Sequence, residues 1–326
     1  MSRNVRLGLA LGAAFFIMLA LALIGWTWRE FTQRGPSVSD LTLVLPRGAS
    51  LGAIANRLGQ NGVLRHPQVF ESMVRLLGEE RLLKAGEYVF PARISPREIE
   101  YLLIAGHTVQ RKLTVPEGLM AAEILALLSE TEGLSGDPPA RPAEGWLLPD
   151  TYYYAYGDER GQFVERMRQA MRDLLAQYWA TRQPDLPYRS PEDAIVMASI
   201  IEKETAKGEE RAMVASVYVN RLRRGMRLQA DPTVAYGITG GQTPLERPLT
   251  RDDLAHDNPW NTYRVKGLPP TPIANPSRAS VLAALHPNVT KYLYFVADGD
   301  GGHTFAESLP DHNRNVRKWR RGQRRH

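Results

Sequence analysis

The chain of 326 residues contains no cysteine, and this absence excludes disulfides, thiol nucleophiles, zinc–thiolate sites and iron–sulfur clusters. It leaves the compartment open, because a chain of this length can fold outside the cytoplasm without disulfides. Hydrophobic residues make up 43% of the chain, enough for a sizeable core, and the length predicts two soluble units or one large unit.

An excess of charge of one sign is also missing from most of the chain. The net charge is +6, but residues 314–326 hold seven of the 41 basic residues and no acidic residue, which leaves 34 basic against 35 acidic residues elsewhere. The body of the protein is therefore neutral, which predicts no nucleic-acid partner. The basic tail is either a solvated helix end or a contact for an anionic polymer or lipid.

One long uncharged run stands near the N-terminus. Residues 7–28 carry no charge, and as a helix they would extend about 33 Å, enough for the hydrocarbon core of a bilayer. Arg3, Arg6 and the free amino group precede the run and favour an N-inside orientation, and Trp26 and Trp28 stand where an interfacial belt would lie. The predicted segments are a cytoplasmic N-terminus at residues 1–6, a transmembrane anchor at 7–28 and a linker at 29–40.

A cleaved signal peptide is the alternative interpretation of this run. Ala20-Leu21-Ala22 has the small-x-small form of a cleavage site, but Leu23 and Ile24 continue the apolar run past it. The run is also long for the apolar part of a signal peptide. We therefore favour an uncleaved anchor, which places the rest of the chain outside the cytoplasm.

The short pattern Leu-x-x-Pro-x-Gly occurs twice, seventy positions apart, at Leu43–Gly48 and Leu113–Gly118. Each copy continues into apolar residues at the spacing of one helix face. Each copy therefore predicts a strand, a Pro-x-Gly turn and a short amphipathic helix.

Between the two copies, the sequence predicts further helices and a strand. Residues 67–77 have helical periodicity, residues 86–90 indicate a strand, and Ser95 with Glu98 forms a capping box that opens a helix ending at Gly106. Residues 41–106 thus resemble a small LysM-like β-α-α-β module, a type that binds sugars, and a packing module without a ligand is the alternative. Residues 107–326 would form a larger α+β catalytic domain, so the expected fold class is α+β.

One glutamate follows a helix that is uncharged on every face. Ser190 and Pro191 supply an N-cap and a first helical residue, and residues 194–201 are uncharged over two turns, which predicts a helix buried all round. Partial desolvation of the next residue, Glu202, would favour its protonated form and suit it to protonate a leaving oxygen. A solvated helix end is the alternative. Glu204 lies about 200° further round the helix and is expected to face elsewhere.

The sequence around Glu202 resembles the core signature of a known enzyme family. The matching segments are Ala198–Thr205, Val214–Leu222, Gly225–Val234, Glu144–Tyr152, Asn261–Tyr263, Gly267–Ile273, Tyr292–Ala297 and Gly302–Phe305. Their order and spacing are similar to those of the YceG-like (MltG-type) endolytic murein transglycosylases. The resemblance extends to about Val316, although Gly208–Arg211 is only loosely like the family's Ser-Glu-Arg and the basic tail is outside the pattern.

This resemblance implies a lyase of the bacterial inner membrane, single-pass, with its N-terminus inside and its catalytic domain in the periplasm. It would cleave the MurNAc–GlcNAc bond inside nascent peptidoglycan strands, form a 1,6-anhydroMurNAc end and so terminate strand elongation. Glu202 takes the family's catalytic position and would act first as acid and then as base, without a second nucleophile, a metal or a cofactor. The implied partners are glycan strands, membrane lipid at residues 7–28 and peptidoglycan synthases.

Side chains suited to sugars accompany Glu202 in the matching segments. Amides and hydroxyls can bond sugar hydroxyls and N-acetyl groups, and Asp231 can bind a hydroxyl or stabilise an oxocarbenium charge. Turn and cap roles are the alternative for each of these residues. The expected substrate-binding residues are Tyr152, Asn220, Gln229, Asp231, Thr233, Tyr236, Asn261, Thr262, Tyr263 and His303.

His303 does not indicate a metal site. It lacks the companion ligands of such a site, and the glycines beside it predict a hairpin between Ala297 and Thr304.

Two other functions stay open on the sequence. A muramidase would hydrolyse the same sugar bond with a water and a second carboxylate, for which Asp231 is the candidate. A non-catalytic peptidoglycan-binding scaffold would need no acid at all.

Overall fold

The structure, a computed structural model, describes residues 3–323. Met1 and Ser2 of the expected cytoplasmic segment, and Arg324 and Arg325 of the basic tail, lie outside the described residues. The chain divides into a smaller unit, up to Arg111 together with Tyr154–Gly157, and a larger unit, Lys112–Tyr153 and Asp158 onwards. The expected boundary after residue 106 stands a few residues before this division. The mixed α and β content confirms the predicted fold class.

The N-terminal helix α1 spans Arg3–Thr32. Within it, Leu11–Thr32 has a mean hydropathy of 2.0 and is long and apolar enough to cross a membrane. The large apolar side chains of this stretch, such as Phe16 and Ile24, are exposed. Length and composition suit an anchor or a signal sequence alike. The helix also continues through residues 29–32, which the sequence assigned to the linker.

The smaller unit continues with two strands and three helices. They are β1 (Leu41–Leu45), α2 (Leu51–Gln60), α3 (Pro67–Leu77), β2 (Gly86–Phe90) and α4 (Pro96–Ala105). Strands β1 and β2 pair antiparallel, with Leu41 opposite Phe90. Ser50 caps α2, and the predicted capping box of Ser95 and Glu98 opens α4. The β-α-α-β order is as predicted, and a LysM-like role stays a prediction.

The end of α1 belongs to the core of the smaller unit. Phe31 is fully buried, and its ring centroid lies 6.5 Å from that of Phe70. Further along, the amide of Gly35 donates to the carbonyl of Ile94 at 3.2 Å. The same cluster contains Leu45, Leu58, Tyr88, Phe90, Ile99 and Leu103. The segment that follows the apolar run is therefore packed onto the folded unit.

The remaining α-helices and strands belong mainly to the larger unit. They are β3 (Gln110–Thr114), α5 (Ala121–Glu130), β4 (Thr151–Ala155), α6 (Arg160–Trp179), α7 (Pro191–Glu204), α8 (Arg211–Arg223), α9 (Asp231–Thr239), α10 (Arg251–Ala255), α11 (Arg278–Leu285), β5 (Tyr294–Ala297), β6 (His303–Ala306) and α12 (Leu309–Gln323). The first two residues of β3 and the last two of β4 fall in the smaller unit. β3 and β4 form one two-stranded sheet, and β5 and β6 form another. The expected hairpin between Ala297 and Thr304 is the antiparallel pair β5–β6.

Helix α7 is the centre of the larger unit. Every residue from Ala194 to Ile201 is buried, as the absence of charge on all faces predicts. The helix packs against α8 and α11, and the surrounding cluster includes Met171, Leu175, Val214, Tyr218, Leu228, Val281 and Leu285. The two carboxylates at its C-terminal end, Glu202 and Glu204, are thereby fixed against the core.

Both copies of the sequence repeat form the predicted strand, turn and helix, as β1–α2 and β3–α5. Gly48 and Gly118 take φ angles of 75° and 73°, a left-handed conformation that glycine adopts without strain. A side chain at Gly118 would begin 3.4 Å from Cγ of Glu202. The turn of the second copy therefore lies directly against the end of α7.

Candidate active site

Both carboxylate oxygens of Glu202 have bonding partners. Its Oε2 accepts hydrogen bonds from the amide and the hydroxyl of Ser277 at 2.9 and 2.6 Å. Its Oε1 lies 3.4 Å from the guanidinium of Arg211, and only 5% of the Glu202 side chain is exposed. Ser277 is the N-cap of α11. Glu202 thus joins the end of α7 to the start of α11 as a paired, hydrogen-bonded carboxylate.

Glu204 has a different environment, two residues further on. Its Oε1 accepts a hydrogen bond from the hydroxyl of Tyr218 at 2.6 Å. Its Oε2 takes part in none of the hydrogen bonds found among residues 3–323. The pKa of Glu204 is raised to about 7, mainly by burial and also by the nearby charge of Asp231, although the Tyr218 bond and Arg221 lower it. This carboxyl is therefore partly protonated at neutral pH.

Glu204 lies at the wall of a cavity of about 370 Å³. The cavity also contains Gln229, Asp231 and Tyr263, three of the residues that the sequence predicted to bind substrate. The hydroxyl of Tyr263 donates to Oδ1 of Asp231 at 2.6 Å. The remaining lining residues are Tyr218, Arg221, Leu228, Phe295 and His312. A second recess of similar volume, beside Glu202, Arg211 and Lys203, also reaches Glu204.

The backbone at Gln229 is strained where it meets this cavity. Gln229 has a φ of 53°, in the left-handed region that a residue with a side chain rarely adopts. The amides of Gln229 and Ala230 are held by the carbonyl and the hydroxyl of Thr262, at 3.2 and 2.9 Å. Strain of this kind costs of order 1–3 kcal/mol and concentrates at functional sites. Gln229 and Asp231 both line the cavity next to this strained position.

Four polar or ionisable residues of the cavity were missed by the sequence-based prediction: Glu204, Tyr218, Arg221 and His312. Arg221 donates to the carbonyls of Leu293 and Leu228, at 2.7 and 2.5 Å, and burial lowers its pKa. The spacing of Tyr218 and Arg221 is the signal that could have identified them, because residues three apart share one helix face.

His312 enters the same cavity from α12. Its ring stacks on Tyr294, with centroids 5.3 Å apart. Its Nδ1 is buried and finds no partner among the described residues. Burial lowers the pKa of His312, and the charge of Arg221 lowers it further, so the imidazole is neutral at physiological pH.

Four other predicted substrate residues are bonded within the fold and are not part of the cavity lining. Asn220 donates to the carbonyls of Thr290 and Tyr292, at 2.9 and 3.0 Å. Asn261 donates to three carbonyls of the α10 segment. Thr233 and Thr262 are fully buried and lie 2.9 Å apart through their hydroxyls. These side chains fix loops and helix ends, the alternative noted for them.

The remaining predicted residues lie outside the cavity lining. The ring of Tyr236 lies 5.8 Å from that of Trp260. Tyr152 donates to the carbonyl of Leu148 at 2.7 Å. Nδ1 of His303 lies 2.7 Å from Oε2 of Glu210. His303 nevertheless borders the site, since its ring meets the cavity residue Phe295 edge-on at 5.1 Å.

Comparison with known proteins gives consistent matches. A sequence model of the YceG-like family matches residues 43–318. The chain is 30% identical over 316 residues to the endolytic murein transglycosylase of Bacillus subtilis (strain 168), covering 87% of this chain and 86% of that protein. It is 27% identical over 322 residues to the endolytic murein transglycosylase of Streptococcus pneumoniae serotype 2 (strain D39 / NCTC 7466), covering 85% of this chain and 58% of that protein.

A solved structure is also similar. A 2.6 Å crystal structure of a yceG-like protein from Listeria monocytogenes matches with a TM-score of 0.52 and 30% sequence identity, over 85% of this chain and 99% of that one. The region matched by the family model, residues 43–318, contains Glu202, Glu204 and every other residue of the cavity.

Proposed function

The chain belongs to the YceG-like family, and we propose from that membership that it is a lytic transglycosylase acting on peptidoglycan. It cleaves the MurNAc–GlcNAc bond inside glycan strands and leaves a 1,6-anhydroMurNAc end, which terminates the elongation of a nascent strand. The two relatives named endolytic murein transglycosylase support this, since they match the chain over 87% and 85% of its length.

The observation that carries the proposal is a carboxylic acid at the wall of a polar cavity. Glu204 combines a pKa of about 7 with an oxygen that takes part in none of the hydrogen bonds of the described chain, as a general acid requires. Glu202, which the sequence favoured, has both oxygens engaged by Ser277 and Arg211. We therefore assign the acid to Glu204 and a structural role to Glu202.

The proposed reaction uses Glu204 twice. Its proton passes to the glycosidic oxygen as the bond to C1 of MurNAc breaks, and an oxocarbenium-like sugar forms. The resulting carboxylate then takes the proton of the C6 hydroxyl as that oxygen closes on C1. The Tyr218 hydroxyl donates to Glu204 at 2.6 Å, which stabilises the carboxylate between the two steps.

Other cavity residues have distinct roles in this proposal. Asp231 accepts a hydrogen bond from Tyr263, and its negative charge stabilises the positive charge that develops on the sugar ring. Gln229 offers an amide to the N-acetyl groups or hydroxyls of the strand. Arg221 holds the cavity floor through buried carbonyl contacts.

A muramidase is the second candidate, because Asp231 lines the same cavity as Glu204. A hydrolase of this bond uses two carboxylates and a water. The products separate the two reactions, because an anhydro end is lighter than a hydrolysed end by one water.

We further propose that α1 anchors the enzyme in the cytoplasmic membrane with its N-terminus inside. The apolar stretch Leu11–Thr32 and the leading Arg3 and Arg6 support this orientation. The catalytic unit then faces the cell wall, where peptidoglycan synthases extend their strands.

The test compares two glutamine variants of the full chain in detergent on purified glycan strands, with product masses as the readout. Glu204→Gln should fold normally and lose anhydro-product formation by about 10²–10⁴-fold, because glutamine cannot deliver a proton or take one back. Retention of more than a tenth of the activity would contradict the assignment of Glu204.

Glu202→Gln is the matched control on the same helix. It removes one of the two carboxylates that face Arg211, which keeps Glu117 at 3.1 Å, so the loss of stability should stay below the roughly 3–5 kcal/mol of a buried charge left unpaired. We expect a lower melting temperature but anhydro products in proportion to the folded fraction. A fully folded, inactive Glu202→Gln would return the catalytic role to Glu202.

A further inference from the structure

A second depression of the larger unit lies between the β5–β6 hairpin and α12. We call it the distal groove. Its volume is about 820 Å³, more than twice that of the cavity at Glu204, and its lining includes Asp300, Thr304, Asn315, Lys318, Trp319 and Arg321. The cavity and the distal groove have no lining residue in common.

The distal groove and the cavity are nevertheless built on the same two elements. On β5, Phe295 lines the cavity and Ala297 the groove, and residues two apart lie on the same face of a strand. On α12, His312 lines the cavity and Trp319 the groove. Seven residues make about two helical turns, so these side chains lie on one side of α12, about 10.5 Å apart along its axis.

This separation is comparable to the length of one disaccharide repeat of a glycan strand. A glycan strand that occupies the cavity and continues along this side of α12 would bring the sugars of a neighbouring repeat to the distal groove. The partly exposed Trp319 can stack on a sugar ring, and the amide of Asn315 can bond its hydroxyls.

The charges of the groove suit a zwitterionic chain. Lys318 and Arg321 are exposed cations on α12, and Asp300 is an exposed acid on the hairpin loop. The neighbouring Asp298 is already engaged, since its Oδ1 accepts hydrogen bonds from the amides of Asp300 and Gly302 at 2.8 and 2.9 Å. Peptidoglycan stem peptides carry carboxylates and a free amine, which match cations on one wall and an acid on the other.

We propose that the distal groove is a second subsite for peptidoglycan, about one disaccharide along α12 from the cavity, which binds a sugar on Trp319 and the attached stem peptide through Lys318 and Arg321. The proposal rests on the proposed function for its substrate. It also gives the described part of the basic C-terminal segment a specific role, in place of the solvated helix end or general polyanion contact that the sequence left open.

The test measures binding by the full chain in detergent, in a Glu204→Gln background so that strands stay intact. The probes are purified glycan strands with their stem peptides and the same strands stripped of peptides by an amidase. Trp319→Ala should weaken binding of both probes by about three- to tenfold, and Trp319→Phe should largely restore it. Lys318→Gln combined with Arg321→Gln should weaken binding of the peptide-bearing strands alone, by about tenfold.

Arg317→Gln combined with Arg320→Gln is the matched control, since it removes two exposed cations of α12 that are not part of the groove lining. It should leave both affinities unchanged. Unchanged binding by Trp319→Ala would overturn the proposal. So would an equal loss of affinity for the two probes in either double variant.

Failure of the proposed function gives a different result. Wild-type protein would then bind both probes and yield no anhydro products, while the differences between the groove variants persisted. The binding assay therefore tests the distal groove independently of catalysis.

Discussion

The hydrogen bond between Tyr218 and Glu204 makes the pH dependence of the enzyme a direct test of its acid. The phenol donates to Oε1 of Glu204 at 2.6 Å and lowers the pKa of this carboxyl, which nevertheless stands at about 7 because burial raises it. Tyr218→Phe removes that donor and keeps the ring, which packs edge-on against Phe295 at 5.8 Å. Burial and the charge of Asp231, both of which raise the pKa, would remain.

The size of the shift follows from the energy of the lost bond. Hydrogen bonds to charged groups contribute about 1.5–3 kcal/mol, and one pKa unit corresponds to about 1.4 kcal/mol. The pKa of Glu204 should therefore rise by about one to two units. A general acid must be protonated in the free enzyme, so the alkaline limb of kcat/KM should move to higher pH by the same amount.

The assay is the rate of anhydro-product formation on purified strands between pH 5 and about 10. Tyr188→Phe is the control, because it removes a hydroxyl bonded to the carbonyl of Ala284 at 3.0 Å, away from the cavity lining. Its pH profile should be that of the wild type. An alkaline limb that stays in place in Tyr218→Phe, or moves to lower pH, would refute Glu204 as the acid.

Two further predictions concern stability and topology. The folded-state pKa of Glu204 is raised from 4.5 to about 7, so its contribution to stability is fully present below pH 4.5 and is lost as the pH rises through 7. Glu204→Gln should therefore increase the free energy of unfolding at pH 8.5 by up to about 3 kcal/mol, and much less at pH 5. Melting temperatures at the two pH values measure the difference, and an equal increase at both would contradict this. Protease added outside spheroplasts should digest the chain beyond α1, and full protection of the larger unit would exclude the proposed orientation.

The sequence predicted those elements whose signals are local. The capping box at Ser95, the proline at position 191 and the Pro-x-Gly turns lie within a few residues of the helices and strands that they define. The burial of α7 followed from eight uncharged residues in succession. In each case the physical cause is contained in one short segment.

The proposed assignment of the acid to Glu204 rather than Glu202 depends on contacts that no short segment contains. The sequence correctly predicted a desolvated Glu202, whose side chain is 5% exposed. Desolvation alone does not separate a paired carboxylate from a protonated acid. The deciding partners, Ser277 for one and Tyr218 for the other, come from elements distant in the chain. His312 was missed for the same reason, because α12 is distant in the sequence from most of the residues that it meets at the cavity.

The continuity of α1 with the smaller unit has a consequence for where the protein can work. Trp28 lies at the end of the uncharged run, and the fully buried Phe31 follows about 4.5 Å further along the helix axis. If α1 lies in the bilayer, the smaller unit is held at the membrane surface, because no flexible linker separates it from the helix. The distance from the membrane at which the protein can act is then limited by the size of its folded units. The proposed action on nascent strands would then need no separate recognition of new material, because strands made at the membrane are the ones within reach.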